Sequence, residues 1–273
     1  MNGDAAAPTT PDFTNPPLTE VVCGVQFAPV VGWLTGHYGL FWNRIRAEYP
    51  NSEDHPPLPR IKMEEFDTPD ELNIPLLPPL RRVFLTTDPG NYLIQLQPTR
   101  FLHNWRKVTA SDEYPRFPEA YSRFSRQWSE FNTYLTDVQL PAPKVQAYEL
   151  TYVNMMGSAG MKFPRDVWRF MNFYNKLPQT ASGADPRVIT LTLGWPLGDG
   201  AGRLAMTLKH GVKAAEPQGA PEEVLVVEFT ARGTAEKGGA DMNEWFSTAH
   251  HAIVYTFAAL TTDESHAMWG RVA

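Results

Sequence analysis

The stretch Glu20–Phe27, EVVCGVQF, carries the clearest strand pattern in the chain. Its odd-numbered residues are all apolar, and they alternate with Glu20, Val22, Gly24 and Gln26. Alternation with a period of two residues is typical of a β-strand that has one face against a core. Farther along, Val145–Met155, VQAYELTYVNM, alternates in the same way and is rich in β-branched and aromatic residues. We therefore predict a strand at each place.

Each of these strands begins one pass of a repeated pattern. The order strand, helix, run of strands and amphipathic helix extends from about Leu18 to Leu140, and again from about Val145 to Leu260. An internal repeat constrains the architecture before any residue is given a role. We predict two α+β repeat units, residues 18–140 and 141–273, which follow a disordered tail at residues 1–17.

In the first pass, apolar residues at helical spacing predict two helices. The first has a buried stripe that consists of Tyr38, Phe41, Trp42, Ile45 and Tyr49. The second extends from about Phe117 to Thr136. Strands separated by turn-forming residues are predicted at Arg82–Thr86, Asn91–Gln97 and Arg100–Lys107. The proline-rich, acidic stretch Asn51–Pro79 is interpreted as a connector with one short strand near Ile61–Phe66.

The second pass repeats this order after its first strand. Pro164 is well placed to begin a helix. Strands are predicted at Val188–Trp195, Arg203–His210 and Glu223–Ala231. A long helix follows, with Asp241 and Glu244 as a capping box, and a short final helix is predicted to be capped by Thr261 with Glu264.

Both passes place strands beside amphipathic helices, which defines an α+β fold class. The simplest arrangement joins the two antiparallel sheets into one curved sheet with all helices on one face. This arrangement resembles the pseudo-twofold saddle of the TATA-binding-protein-like fold. The alternative is a helix-grip fold, in which a curved sheet wraps around one long C-terminal helix. In both, one face of the sheet is left for a ligand or partner.

Five strings resemble an uncharacterised, sporadically distributed bacterial protein family. They are PPLTEVVCGVQF (Pro16–Phe27), GLFWNRIRAEYP (Gly39–Pro50), LIQLQPTRFLHNWRK (Leu93–Lys107), YELTYVN (Tyr148–Asn154) and FAALTTDESHAMWGR (Phe257–Arg271). The resemblance covers nearly the whole chain. It implies a cytoplasmic accessory protein that travels with mobile or defence loci, and it supplies no catalytic residues.

The charge and cysteine content narrow the function classes. A net charge of −6 disfavours a general nucleic-acid coat, because a basic surface supplies most non-specific affinity. The charge is uneven, since Arg81–Arg126 holds eight Lys and Arg against four Asp and Glu. Nucleic acid therefore stays possible but is not favoured. The single cysteine, Cys23, excludes an internal disulfide and suits a reducing compartment.

No apolar stretch of the sequence reaches the length that spans a membrane. The first residues also lack the basic and apolar regions of a secretory signal. We expect a cytoplasmic protein with no membrane contact.

The richest candidate site is Gln95–Lys107, QLQPTRFLHNWRK. Amides recognise hydrogen-bonding edges, Arg binds phosphate or carboxylate, and an aromatic ring stacks. A strand would place Asn104 and Arg106 on one face of the sheet and His103 and Trp105 on the other. The candidate partner- or ligand-binding residues are Gln95, Gln97, Arg100, His103, Asn104, Trp105, Arg106, Glu149 and Asn154. The alternative is that the face is polar because water covers it.

Histidine spacing gives no metal site. His250 and His251 are adjacent and point about 100° apart on a helix, so they are a poor chelating pair. His250 lies on the apolar stripe and is interpreted as a hydrogen-bonded core histidine. We predict no metal, no other cofactor and no catalytic residues.

Our leading hypothesis is a non-enzymatic protein that binds a protein partner through the polar sheet or its edge strands. The partner would be encoded nearby. One alternative is an enzyme or sensor that uses Arg100, His103 and Arg106 on a small anionic or nucleotide-like ligand. The other alternative is recognition of nucleic acid by the basic stretch.

Overall fold

The structure is a computed structural model that describes residues 10–59, 81–157, 160–174, 179–213, 222–235 and 241–272 of the chain. Within these ranges there are nine β-strands and four α-helices. The strands are β1 (Leu18–Phe27), β2 (Asn51–His55), β3 (Arg82–Thr86), β4 (Tyr92–Gln97), β5 (Arg100–Arg106), β6 (Val145–Met156), β7 (Thr190–Leu197), β8 (Gly202–Lys213) and β9 (Glu222–Thr234). The helices are α1 (Gly36–Ile45), α2 (Phe117–Asp137), α3 (Met242–Leu260) and α4 (Asp263–Trp269). The α+β class is therefore confirmed.

All nine strands belong to one antiparallel sheet. Their order is β2-β3-β4-β5-β1-β6-β9-β8-β7, and the sheet is not closed. β1 and β6 pair in the middle, where Cys23 lies opposite Leu150. The strands of residues 51–106 extend to one side of this pair, and those of residues 190–234 extend to the other.

The helices cover one face of this sheet. α2 packs on β1 and β5, and α3 packs on β6, β8 and β9. α1 contacts α2 through the rings of Phe41 and Phe131, whose centroids are 5.3 Å apart. α4 contacts α3 through Trp269 and Phe257, also 5.3 Å apart. All helices thus lie on one side, as the apolar stripes predict.

The core fills the space between helices and sheet. Val21, Cys23, Val25 and Phe27 of β1 belong to it and are each about 1% exposed, as the apolar positions of EVVCGVQF predict. The fully buried rings of Phe124 on α2 and Phe246 on α3 lie 5.1 Å apart. Burial of one such side chain stabilises the folded state by about 1.5–3 kcal/mol.

The predicted helix at Pro164 is wrong. The structure has only a single 3-10 turn, Val167–Arg169, in its place. The chain then joins the end of α3, because Met171 bridges Thr261 and the N–H of Asn172 donates to the carbonyl of Leu260 at 3.0 Å. Val167 and Met171 are buried, as their spacing indicates, but tertiary hydrogen bonds replace helical ones.

Smaller predictions also differ from the structure. Residues 51–55 of the predicted connector form β2, whereas the strand predicted near Ile61–Phe66 lies outside the described residues. Trp42 is only partly buried, and its indole N–H donates to the carbonyl of Tyr49 at 2.8 Å. α4 is capped by Thr262, whose hydroxyl accepts from the N–H of Ser265 at 3.2 Å. Asp241 is the N-cap of α3 but makes no side-chain cap hydrogen bond.

Truncation of a ring where the helices meet tests the packing. Phe124→Ala is expected to lower the free energy of unfolding by about 3–5 kcal/mol, because it removes a fully buried ring and leaves a cavity. The matched control is Phe173→Ala, at a ring that is 37% exposed, which is expected to cost less than about 1 kcal/mol. Urea unfolding followed by circular dichroism measures both. An equal loss of unfolding free energy in the two variants would contradict the packing of Phe124 between the helices and the sheet.

Candidate functional site

Four polar side chains are joined by hydrogen bonds across the sheet face opposite the helices. Arg82 Nη1 donates to Gln95 Oε1 at 2.7 Å, and Gln95 Nε2 donates to Asn104 Oδ1 at 3.1 Å. Asn104 Nδ2 then donates to Glu20 Oε1 at 2.6 Å. Burial raises the pKa of Glu20, although the hydrogen bond from Asn104 and the nearby Arg106 lower it. These hydrogen bonds pair most of the polar atoms in the row, as burial requires, although the buried Nε of Arg82 has no hydrogen-bond partner among the described residues.

Other predicted site residues on this face are buried too. Gln97 accepts from the backbone N–H of Leu58 at 2.9 Å and donates to its carbonyl at 3.1 Å. Arg100 lies 3.5 Å from Gln26, and Arg232 donates to Glu149 at 2.6 Å. Gln95, Gln97, Arg100, Asn104 and Glu149 are each less than 9% exposed. We call the set Glu20, Gln26, Arg82, Gln95, Gln97, Arg100 and Asn104 the polar layer; its role in binding stays a prediction.

The predicted ligand set of Arg100, His103 and Arg106 is not brought together. Arg100 and Arg106 belong to the face opposite the helices, whereas alternate register puts His103 on the helix side. Arg106 is half-buried, and its Nε donates to the carbonyl of Gly90 at 2.7 Å. Trp105 also lies on the helix side, with its ring 5.4 Å from that of Tyr114.

His103 is a buried neutral histidine. Its Nε2 hydrogen bonds with the hydroxyl of Tyr49 at 2.9 Å, and the ring stacks near Tyr92. Burial lowers the pKa of His103 to about 3, and the positive charges of Arg123 and Arg126 lower it further. Its contacts are those of a structural residue.

Asn154 lines a pocket on the helix side, and no other predicted site residue does so. The pocket has a volume of about 360 Å³. Its walls are residues 10–13, 16 and 18 near the N-terminus, residues 114 and 116–118 at the start of α2, and residues 250, 253, 254 and 257 of α3. Tyr152 and Asn154 of β6 complete it. Most of its lining is apolar.

The pocket forms where α3 extends past the start of α2. The two helices are antiparallel, because Phe124 contacts Phe246 while Phe117 stacks on His250 at 4.1 Å. α2 begins at Phe117, but α3 continues to Leu260. The last part of α3 therefore has no α2 neighbour, and Phe13 takes that place against Phe257 at 5.6 Å.

Three neutral groups form a hydrogen-bonded chain in the pocket wall. The hydroxyls of Tyr114 and Tyr152 are 3.1 Å apart, and the Tyr152 hydroxyl is 2.9 Å from His250 Nδ1. Burial lowers the pKa of His250 to about 4, helped by the adjacent His251. Burial also raises the pKa of both tyrosines. His250 can carry its proton on either ring nitrogen, so Nδ1 can either donate to Tyr152 or accept from it. Tyr114 can accordingly present a hydrogen-bond donor or an acceptor to the pocket.

Arg116 and Asp12 bring charge to the pocket. Arg116 Nη1 donates to Asp12 Oδ1 at 2.7 Å and to the carbonyl of Phe13 at 3.0 Å. The two side chains are 45% and 54% exposed, so their attraction is worth only about 0.2–1 kcal/mol. Arg116 has φ 73° and ψ 156°, a region that favours glycine and costs other residues about 1–3 kcal/mol.

Residues 10–17, which we predicted to be part of a disordered tail, are held by the other end of the chain. The N–H of Thr14 donates to the carbonyl of Gly270 at 2.9 Å, and that of Asn15 to Trp269 at 3.0 Å. Phe13 bridges Arg271 and packs among Phe257 and Trp269. These residues therefore form a fixed wall of the pocket.

Sequence reasoning missed Tyr114, Arg116 and most of the lining. Tyr152 lies within VQAYELTYVNM, where it was read only as a strand residue, and His250 was read as a core residue. The hydrogen bond to Tyr152 confirms part of that interpretation, but the histidine also borders the pocket. Nothing in the sequence places residues 10–18 against α3, since the partners are more than 200 positions apart.

Comparisons with family models and with curated proteins match nothing to this chain. No helix in the described part of the chain is both long and apolar enough to cross a bilayer. Within the same ranges no three His, Cys, Asp or Glu residues are grouped as a metal site needs. The expectation that the protein binds no metal stays a prediction.

The pKa of His103 predicts how stability responds to acid. Below the ordinary value of 6.5, the unfolded chain takes up a proton at His103 that the folded protein refuses. The free energy of unfolding is therefore expected to fall between pH 6.5 and pH 3, by up to about 1.4 kcal/mol per pH unit from this residue. Urea titrations at pH 7, 6 and 5 measure the slope.

His103→Gln is expected to reduce the slope of the unfolding free energy against pH by about 1.4 kcal/mol per pH unit, which corresponds to one proton. The control Tyr49→Phe removes the hydrogen bond but keeps the histidine buried, so it is expected to keep the slope of the wild type. An unchanged slope in His103→Gln would show that burial does not control this titration.

Proposed function

We propose that this protein binds a small ligand in the pocket between residues 10–18, the start of α2 and α3. The observation that carries the proposal is the combination of a 360 Å³ pocket with mainly apolar walls and the chain of Tyr114, Tyr152 and His250 along one side. Ligand sites in proteins have this composition, with apolar walls for affinity and a few polar groups for orientation.

The volume limits the size of the ligand. At about 30 Å³ for each non-hydrogen atom, the share of a water molecule in the liquid, the pocket holds roughly a dozen such atoms. This is the size of a bicyclic aromatic compound or a short acyl chain. A small-ligand sensor was one alternative from the sequence, and the pocket supports that class at residues other than those predicted.

Filling the pocket tests the proposal. Val254→Trp places a large side chain in the lining, whereas Val212→Trp adds the same side chain at a residue of β8 that is 62% exposed. We expect at least one of 2-naphthoate, 2-naphthamide, octanoate and octanamide to bind the wild type with a Kd below about 1 mM. Val254→Trp is expected to weaken that binding at least tenfold, and Val212→Trp to leave it unchanged.

Isothermal titration calorimetry measures these constants, with circular dichroism to check that each variant is folded. Absence of binding by all four compounds would overturn the proposal. So would equal binding by wild type and a folded Val254→Trp variant.

A second candidate function is the leading hypothesis from the sequence, a protein partner held by the sheet. The polar layer on β1 and β3 to β5 is largely buried, but the same face of β7 to β9 is more open. Thr190, Thr192, Gly194 and Pro196 of the edge strand β7 are exposed, as are Lys209 and Glu228 beside them. An edge strand presents unpaired backbone groups that another chain can extend. We propose that a partner from a mobile or defence-associated locus docks here.

Substitution on this edge separates partner binding from folding. Thr192→Arg is expected to abolish a complex with a protein encoded beside this chain, because it adds charge and bulk to the edge strand. Thr133→Arg, at an exposed residue of α2, is the matched control and is expected to leave the complex intact. Size-exclusion chromatography of co-expressed proteins measures it. A complex that survives Thr192→Arg would contradict docking on β7.

We also propose that the fold arose by duplication and forms a TATA-binding-protein-like saddle. The order β3-β4-β5-β1 on one side of the centre and β7-β8-β9-β6 on the other supports this. So does the placement of one long helix after each set, α2 and α3. The second set has no helix that corresponds to α1 among the described residues, and the 3-10 turn at Val167–Arg169 follows β6 where α1 follows β1.

A further inference from the structure

We infer that the ligand of this pocket is an apolar carboxylate whose carboxylate group takes the place of Asp12 on Arg116. The inference rests on the proposed function and deepens it. It commits to the chemistry of the ligand, an acid with an aromatic or acyl body. The two kinds of body are distinguished by the experiment below.

The charges along the pocket support an acid. Among the lining residues that the structure describes, Arg116 is the one cation and Asp12 is the one carboxylate. His250 is neutral near pH 7, since burial lowers its pKa to about 4. A neutral ligand would leave the Arg116–Asp12 pair as it is. A carboxylate ligand gains a guanidinium partner instead.

The ion pair is also easy to displace. Both side chains are about half exposed, so water already competes with their attraction. An acid whose body is buried in the pocket already holds its carboxylate near Arg116. It therefore loses less translational freedom on pairing than a free ion from the solvent would. Asp12 Oδ1 also accepts from the N–H of Phe13 at 2.8 Å, so its release costs that hydrogen bond, while Phe13, Thr14 and Asn15 keep the segment in place through other contacts.

Tyr114 supplies a second donor beside the guanidinium. The Arg116 guanidinium carbon lies 5.9 Å from the centre of the Tyr114 ring. When His250 carries its proton on Nδ1, it donates to Tyr152, and Tyr152 donates to Tyr114. The Tyr114 hydroxyl then has its proton left for the ligand. A carboxylate has two oxygens, which match one guanidinium and one phenol.

The apolar body is accommodated by α3 and Phe117. Phe117 and His250 are stacked with an angle of 6° between their planes, and Ile253 and Phe257 continue the wall. Flat rings beside aliphatic side chains accept either an aromatic or an acyl body. The volume admits one such body of roughly a dozen atoms.

Matched acids and amides test the inference. Isothermal titration calorimetry compares 2-naphthoate with 2-naphthamide and octanoate with octanamide, each pair differing in charge at nearly constant shape. We expect the acid of at least one pair to bind the wild type about tenfold or more tightly than its amide. The acid that binds more tightly shows whether the body of the ligand is aromatic or acyl. Its affinity is expected to fall with added salt, while that of the amide does not.

Three variants assign the effect to Arg116 and Asp12. Arg116→Gln is expected to remove the preference for the acid, and Arg116→Lys to keep part of it. Asp12→Asn is expected to tighten binding of the acid about twofold to fivefold, because it removes a competing negative charge but keeps a hydrogen-bond acceptor. The control Arg126→Gln, on an exposed face of α2, is expected to change nothing.

The outcomes separate this inference from the proposed function. Acid and amide that bind equally, and that both lose binding in Val254→Trp, would overturn the inference and leave a neutral-ligand pocket. Weaker binding of the acid by Asp12→Asn would overturn it as well, since the aspartate would then be holding the ligand or the wall. No binding of any probe by the wild type would overturn both proposals.

Discussion

The structure depends on the contact between α2 and α3 above the middle of the sheet. Phe124 touches Phe101 of β5, while Phe246 touches Tyr148 of β6, and the two rings meet each other at 5.1 Å. Each long helix therefore covers the strands of its own part of the chain and also packs on the other helix. β1 and β6 pair beneath this contact. The two parts of the chain are therefore joined in the sheet by strand pairing and above it by helix packing.

The pocket is a consequence of the same geometry. Two antiparallel helices of different start points cannot cover each other along their whole length. Where α2 begins at Phe117, the remaining turns of α3 need another cover, and Phe13 supplies it. A short irregular segment fills such a space less completely than a helix does, so a cavity remains between them. The polar groups of Tyr114, Tyr152 and His250 border that cavity and bond to one another.

The two faces of the sheet handle polar groups differently. On the helix side, most residues are apolar, and His103 and Tyr49 form a single hydrogen-bonded pair among them. On the opposite side, Arg82, Gln95, Asn104 and Glu20 are linked in a row. A buried polar group must keep its hydrogen bonds or lose about 1–3 kcal/mol, so this row gives the strands a preferred register. Polarity on a sheet face is therefore compatible with burial as well as with a binding surface.

The amino-acid sequence predicts those local elements whose signal is periodic. Alternation in EVVCGVQF and the apolar stripe of residues 117–136 predict β1 and α2 closely, because side-chain direction repeats with the backbone geometry of each element. The same spacing also indicates that Val167 and Met171 are buried. It does not show whether the backbone there satisfies its hydrogen bonds locally.

The candidate site depends on long-range contacts that form only in the folded chain. The turn at Val167–Arg169 replaces a helix because Asn172 and Thr262 bond across to the end of α3 and to Phe170. Periodicity assigns Gln95 and Asn104 to one face of the sheet, but it does not show that both side chains are buried there. Thr14 and Gly270 meet although 256 positions separate them, and Arg116 reaches Asp12 across 104. Contacts at such separations leave no periodic signal, since they depend on how the whole chain packs.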